Sequence, residues 1–365
     1  MGGLPPIFCN FMKTKFLTVL LALLLLAPIL SLGGCKQGGQ DPEKFSEYSF
    51  DYFDTVTTVT GYAESREAFD AVADQALALL EEYHRLFTIY HRYEDMENLC
   101  TINELVDGVH RTVKVDSRII DMLLYAKQAY DMTDGRVNVA MGSVLAIWHE
   151  YRTLGIDEPW NAELPPMEKL QEAAQHTDIS MMQIDQQACT VTLLDPQMRL
   201  DVGAIAKGYA VEMVARALEQ QGIHGYVLNV GGNVRTVGAK PDGTPWTVGI
   251  ENPDENAEDY LAYMQLSGQS LVTSGSYQRY FLVDGKRYHH IIDPATLMPS
   301  EYFTSVSIVC QSSADGDALS TALFCMSYEE GRALIESLDG VEAMWLTVDG
   351  EKYYSSGFST YQTGQ

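Results

Sequence analysis

The run YFLVDGKRYHHIIDP, Tyr280 to Pro294, decides the fold class. Two strand-like pieces flank Asp284-Gly285, a pair suited to a two-residue hairpin turn because both positions need positive φ. Asp349-Gly350 repeats the device between two more strand-like runs near the C-terminus. Hairpins make neighbouring strands antiparallel. The chain is therefore predicted to be α+β, with mostly antiparallel sheets and packed helices in a single compact unit, and not a doubly wound parallel sheet. The same run carries two adjacent histidines, His289 and His290, before an Asp-Pro. Successive strand residues face opposite ways, so the pair taken alone reads as one packed ring and one exposed ring.

Outward from this run, the periodicities alternate. Tyr48 to Tyr62 is rich in β-branched and aromatic residues and is predicted as a strand. Apolar steps of three and four at Phe69, Val72, Ala76, Leu79, Tyr83 and Leu86 predict a helix over about 65–91. A second helix covers about 117–133 and stops at Asp134-Gly135, and a third runs over about 206–221 with Gly222 just past its end. Strands are expected at 190–194, 199–202, 226–230, 234–239, 246–250 and 263–267, and a final helix pair at about 317–326 and 328–338. There is no internal repeat.

Bulk properties narrow the function. The 365 residues are 46% hydrophobic, enough for a large core, and the formal net charge is −26. With 24 Lys and Arg against 50 Asp and Glu, no basic cluster exists to hold nucleic acid, and nucleic-acid binding is excluded. An anionic ligand would need a metal or a few placed cations. At the N-terminus, Lys13 and Lys15 precede an apolar run from Phe16 to Leu32, and Leu-Gly-Gly-Cys closes it at Cys35. That is the pattern of an export signal, and its end resembles the lipobox of bacterial lipoproteins. Residues 1–34 are expected to be a lipoprotein signal peptide, Cys35 the lipidated residue, 35–46 a tether and 47–365 the working domain. The protein is then extracytoplasmic and lipid-anchored to the membrane; an uncleaved anchor is the alternative, and Met12 is a second candidate start. Cys100, Cys189, Cys310 and Cys325 lack CxxC spacing; Cys310 and Cys325 sit among apolar residues, and no zinc site is expected.

Four stretches could carry chemistry. In LDVGAIAKGYAVE, Leu200 to Glu212, Asp201 leads through a small-residue turn into a helix with Lys207 in its first turn. A helix N-terminus beside a lysine can hold phosphate oxygens, and a tight strand–helix joint explains the small residues equally well. In VLNVGGNVRTVG, Val227 to Gly238, paired glycines permit a bulge or a close ligand, but no dinucleotide fingerprint is present. In SADGDALSTALF, Ser313 to Phe324, Thr321 lies one helical turn beyond Asp317; the two could hold a hard cation, or be a cap and a hydroxyl bonded back to its own helix. Thr273-Ser274-Gly275 is a polar loop or part of a pocket.

In their order these pieces resemble the ApbE family of lipid-anchored FAD:protein FMN transferases. FDTVTTV, LFTIYHRYEDMENLCTIN, TDGRVNVAMGSVLAIW, LDVGAIAKGYAVE, NVGGNVRTVG, PWTVGIENP, TSGSYQRY, HHIIDP and DALSTAL match over Phe53 to about Met326. The resemblance implies Mg²⁺-dependent transfer of FMN from FAD to a Thr or Ser hydroxyl of an exported or membrane redox protein, with AMP released. Related activities are hydrolysis of FAD to FMN and AMP, and flavin binding without catalysis. It further implies His290 as general base with His289 as the fallback, and Asp317, Thr321 and the Ala204 carbonyl as metal ligands. Phe53, Tyr90, Arg136, Val137, Asn138, Asp201, Lys207 and Ile291 would contact the FAD. Asn138 replaces a usual Asp, Ser276 a frequent acidic residue, and Leu297 a usual Gly, so the turn after Pro294 is expected to differ.

Overall fold

The structure is a computed structural model in which residues 41–363 are described, apart from 107, 255, 256, 258 and 259. The expected signal peptide, Cys35 and the tether up to residue 40 lie outside the described residues. The compact unit runs Pro42–Gln365. It begins before the expected boundary at 47, because residues 43–46 already belong to a strand.

Eight strands form one antiparallel sheet whose spatial order is their chain order: β1 Glu43–Ser49, β2 Thr57–Ala63, β3 Tyr226–Val230, β4 Asn233–Val237, β5 Ser270–Gly275, β6 Phe303–Cys310, β7 Glu342–Thr347 and β8 Lys352–Tyr354. Two of the eight come from the stretch expected as a single strand. Residues 50–56 reverse the chain, with Phe53 and Asp54 both in the left-handed region, so that Ser49 pairs with Thr57. Another strand correction is at 199–202, which makes only an isolated parallel bridge: the Gly142 N–H donates to the Arg199 carbonyl and the Asp201 N–H to the Val139 carbonyl. On its other side the Asn103 side chain bonds both the N–H and the C=O of Leu200 at 2.7 and 2.9 Å.

One face of the sheet carries three helices, α1 Arg66–Phe87, α6 Ala206–Gln220 and α7 Ser313–Phe324. The α1 residues that are buried, Phe69, Ala73, Ala76, Leu80, Tyr83, Leu86 and Phe87, keep the expected helical spacing. α7 is the central element, buried along almost its whole length between α6 and β5–β6. It starts earlier than expected: Ser312, not an aspartate, caps it by accepting the Asp315 N–H. Between β2 and β3 the chain also forms α2 Leu99–Ile102, α3 Ser117–Met132, α4 Gly142–Asp157 and α5 Met167–Ala173, while α8 Tyr328–Glu336 follows α7.

A separate apolar cluster joins α4 and α5 to the hairpin Tyr280–Val283/Lys286–His289 through Val144, Trp148, Leu170, Phe281 and Ile292. Leu297 takes φ of 60°, the conformation a glycine favours. Its N–H donates to Asp293 and its carbonyl accepts from the Trp148 indole at 2.9 Å, so packing imposes the turn that sequence alone puts in question. The opposite face of the sheet is covered in part by a hairpin, Trp246–Ile250 with Ala262–Leu266. Cys100, Cys189, Cys310 and Cys325 are all free thiols.

Candidate functional site

The site is built where α6 crosses α7. Gly208 makes the crossing possible: a Cβ there would lie 2.3 Å from the Ser313 carbonyl and 2.4 Å from the Asp317 Cβ. Glu212, one turn further along α6 and buried, accepts the Ser313 N–H at 2.9 Å and the Arg235 Nε at 3.1 Å, fixing the start of α7. Gly208 of LDVGAIAKGYAVE therefore serves close packing, and that packing brings Lys207 to Asp317, with Nζ 3.8 Å from Oδ1.

Asp317 alters the hydrogen bonding of the α6 N-terminus. The Gly208 N–H, which would bond the Ala204 carbonyl in a regular helix, donates instead to Asp317 Oδ2 at 2.8 Å. Among the described residues the Ala204 carbonyl then has no hydrogen-bond donor, although the neighbouring Val202 and Ile205 carbonyls keep theirs. On α7, Ser320 and not Thr321 bonds back to the Asp317 carbonyl, at 3.1 Å, so the Thr321 hydroxyl is left without a partner there. Asn233 Oδ1 is buried and unpartnered as well. Burial raises the Asp317 pKa, opposed by Lys207, the Gly208 N–H and Asn233. Three elements thus contribute oxygen atoms without protein donors around one buried carboxylate, which is the donor set of a hard cation.

The two histidines divide their roles by geometry. His289 is fully engaged: Nε2 donates to the Ser300 carbonyl at 2.7 Å and Nδ1 accepts the Ile291 N–H at 3.2 Å. His290 Nδ1 is buried with no partner. Burial, and then the charges of Arg279, Arg152 and Lys207, push its pKa down to about 3, so the ring is neutral at ordinary pH. A neutral, unengaged imidazole is the form able to accept a proton.

Aromatic and charged side chains line the approach. Tyr90 is 54% exposed, and its hydroxyl lies 3.1 Å from His149 Nδ1. Burial of the hydroxyl and the Asp201 charge raise its pKa to about 12. Asp201 accepts the Gly203 N–H at 2.9 Å, and burial raises its pKa too. The Arg279 guanidinium donates to the Asp54 carbonyl at 3.1 Å and so ties the Phe53 loop to the segment after β5. A cavity of about 210 Å³ opens among Tyr90, His149 and Asp201. A larger one, about 950 Å³, touches none of the expected site residues.

Four expected contact residues also have partners within the fold. Arg136 donates to Asp293 and to the Cys325 carbonyl, both at 3.1 Å, and stitches the Asp-Pro turn to the end of α7. Val137 and Ile291 are core residues. Asn138 bonds the Thr177 carbonyl and the Ala140 N–H. Conversely, Arg152, His149, Arg279 and Asn233 belong to the cluster and were not singled out from sequence. Recognising 142–157 as a helix would have put His149 and Arg152 on one face, three residues apart.

An antiparallel α+β sheet that holds a neutral histidine, a buried carboxylate and three cations around one crossing defines a protein built to handle a strongly anionic ligand. The chain belongs to the ApbE family, whose model matches residues 53–345. It is 33% identical over 292 residues to the FAD:protein FMN transferase of Klebsiella pneumoniae (strain 342), covering 78% of this chain and 86% of that protein. Its fold is similar to that of the ApbE protein of Thermotoga maritima, with a TM-score of 0.75 at 26% identity over 88% of this chain and all of that one. The flavin transferase ApbE of Vibrio cholerae is similar too, with a TM-score of 0.72 at 26% identity over 88% and 99% of the two chains.

Proposed function

We propose that this chain is a Mg²⁺-dependent FAD:protein FMN transferase. The carrying observation is the α6–α7 crossing, where the Ala204 carbonyl and the Thr321 hydroxyl, both without protein donors, flank the buried Asp317 carboxylate beside Lys207 and the neutral His290. In this reading the isoalloxazine stacks on Tyr90, with Phe53 behind it, and the diphosphate lies toward Lys207, Arg152 and Arg279. Asp201 holds the FAD at the mouth of α6. When bound, Mg²⁺ supplies charge neutralisation on the diphosphate.

The acceptor Thr or Ser hydroxyl gives its proton to His290 while its oxygen bonds the FMN phosphorus. The bond from that phosphorus to the AMP oxygen breaks, and AMP leaves. A base with a pKa near 3 is weak; burial is the first cause and the charges of Arg279, Arg152 and Lys207 add to it. A bound diphosphate would neutralise those cations and so relieve their part of the depression, moving His290 upward. The acceptor is an exported or membrane redox protein, reached because Cys35 carries the lipid anchor on the outer side of the membrane.

The test is AMP release from FAD and Mg²⁺, with and without a redox-protein acceptor. AMP together with covalently labelled acceptor, both lost in His290→Ala, supports the transferase. AMP with free FMN and an unlabelled acceptor supports a hydrolase, and FAD binding without AMP supports a flavin carrier.

A further inference from the structure

The cavity of about 950 Å³ lies on the face of the sheet away from α6 and α7, between Thr58, Asn229 and Thr273 of the sheet and the hairpin strand Trp246–Ile250. Four consecutive residues of that strand, Trp246 to Gly249, border it. Side chains alternate along a strand, so a run of four in one wall means that the strand presents its edge. Its hydrogen-bonding state is explicit. The partner strand Ala262–Leu266 uses its other edge on the C-terminal segment, where the Gln265 N–H donates to Tyr361 at 2.7 Å and Tyr263 accepts from Thr363 at 2.9 Å. Residues 262, 264 and 266 therefore face 250, 248 and 246 in the antiparallel register, and Thr247 and Gly249 turn their backbone groups outward. Among the described residues, neither the N–H nor the C=O of Thr247 or Gly249 has a hydrogen-bond partner.

A bare edge is a template for one more strand, and its alternating donors and acceptors match a polypeptide, not a small molecule. The groove also adjoins the chemistry. Thr55, Val56, Tyr277 and Gln278 line it, and Arg279, next in sequence, bonds the Asp54 carbonyl and acts on His290. We propose that the outer edge of Trp246–Ile250 binds the acceptor protein as an added β-strand, in the manner of peptide recognition by sheet edges. Five residues of acceptor would span about 16 Å along it and hold the segment that carries the reacting hydroxyl. This assignment rests on the transferase reading and names how its protein substrate is recognised.

The experiment uses the full chain and an exported redox domain that the wild-type chain labels with FMN. Thr247→Pro removes the outward N–H and fixes φ, a change that edge strands accommodate; Thr247→Ala is the control. Thr247→Pro should raise the KM for the redox domain at least tenfold and leave FAD affinity within twofold, while Thr247→Ala behaves as wild type. In the wild-type protein, saturating redox domain should slow hydrogen exchange at the Thr247 and Gly249 N–H at least tenfold. A normal KM in Thr247→Pro, or unchanged exchange at both amides, overturns the assignment. If Thr247→Pro loses FAD affinity, the exchange measurement decides by itself. Absence of any labelling or AMP release by the wild-type chain refutes the transferase reading and this assignment with it.

Discussion

Replacing His290 with glutamine, similar in size and not titratable, should change how stability depends on pH more than it changes stability at pH 7. In the folded protein His290 titrates near 3, against an ordinary value of 6.5, because it is buried and faces Arg279, Arg152, Lys207 and His289. The unfolded chain therefore binds a proton between pH 6.5 and 3 that the folded chain refuses, and stability falls as pH drops through that window. Each pH unit is worth about 1.4 kcal/mol, so going from pH 7 to pH 5 costs the wild-type protein about 2 kcal/mol through this one residue. Above pH 6.5 both states hold a neutral ring and the contribution vanishes. His289 is also depressed by burial, but it is common to both proteins and cancels in the difference. Urea denaturation at half-unit steps from pH 7.5 to 4.5 measures the effect. The difference in unfolding free energy between wild type and His290→Gln should shift by about 2 kcal/mol from pH 7 to pH 5 in favour of the variant. Parallel curves would show that the ring is solvated or carries a compensating partner, and would remove the neutral-imidazole premise from the mechanism.

Arg152→Leu removes one of the cations that depress His290, so an NMR titration of the imidazole should find its pKa raised, with FAD affinity reduced about tenfold; an unmoved pKa refutes the cluster geometry. Asp317→Asn should lower Mg²⁺-dependent AMP release at least about a hundredfold, and Thr321→Val should raise the Mg²⁺ needed for half-maximal rate. Superimposable Mg²⁺ curves for wild type and both variants would exclude these two residues as ligands. Gly208→Ala drives a Cβ into the Ser313 carbonyl and the Asp317 Cβ. It should cost about 2–4 kcal/mol in urea denaturation, and a loss under about 0.5 kcal/mol would mean that the α6–α7 crossing is loose.

What could be read along the chain was whatever depends on local spacing. The 3.6-residue period of α1 and α6 and the Asp284-Gly285 turn follow from neighbouring residues, as do the nine ordered stretches shared with the ApbE family. α4 escaped because its N-terminus has no side-chain cap and it divides its contacts between the hairpin and α5, which blurs a single apolar stripe. Tertiary structure decided the rest. Whether Lys207 reaches Asp317, whether the Ala204 carbonyl keeps its helical donor, and which of two adjacent histidines stays unengaged depend on where α6 meets α7 and on the Ser300 carbonyl that holds His289. The same holds for Arg136, whose bonds to Asp293 and the Cys325 carbonyl join positions more than a hundred residues apart. Local spacing specifies which residues can share a face; only the closed fold specifies which polar atoms lose their partners, because that depends on every group brought within hydrogen-bond distance.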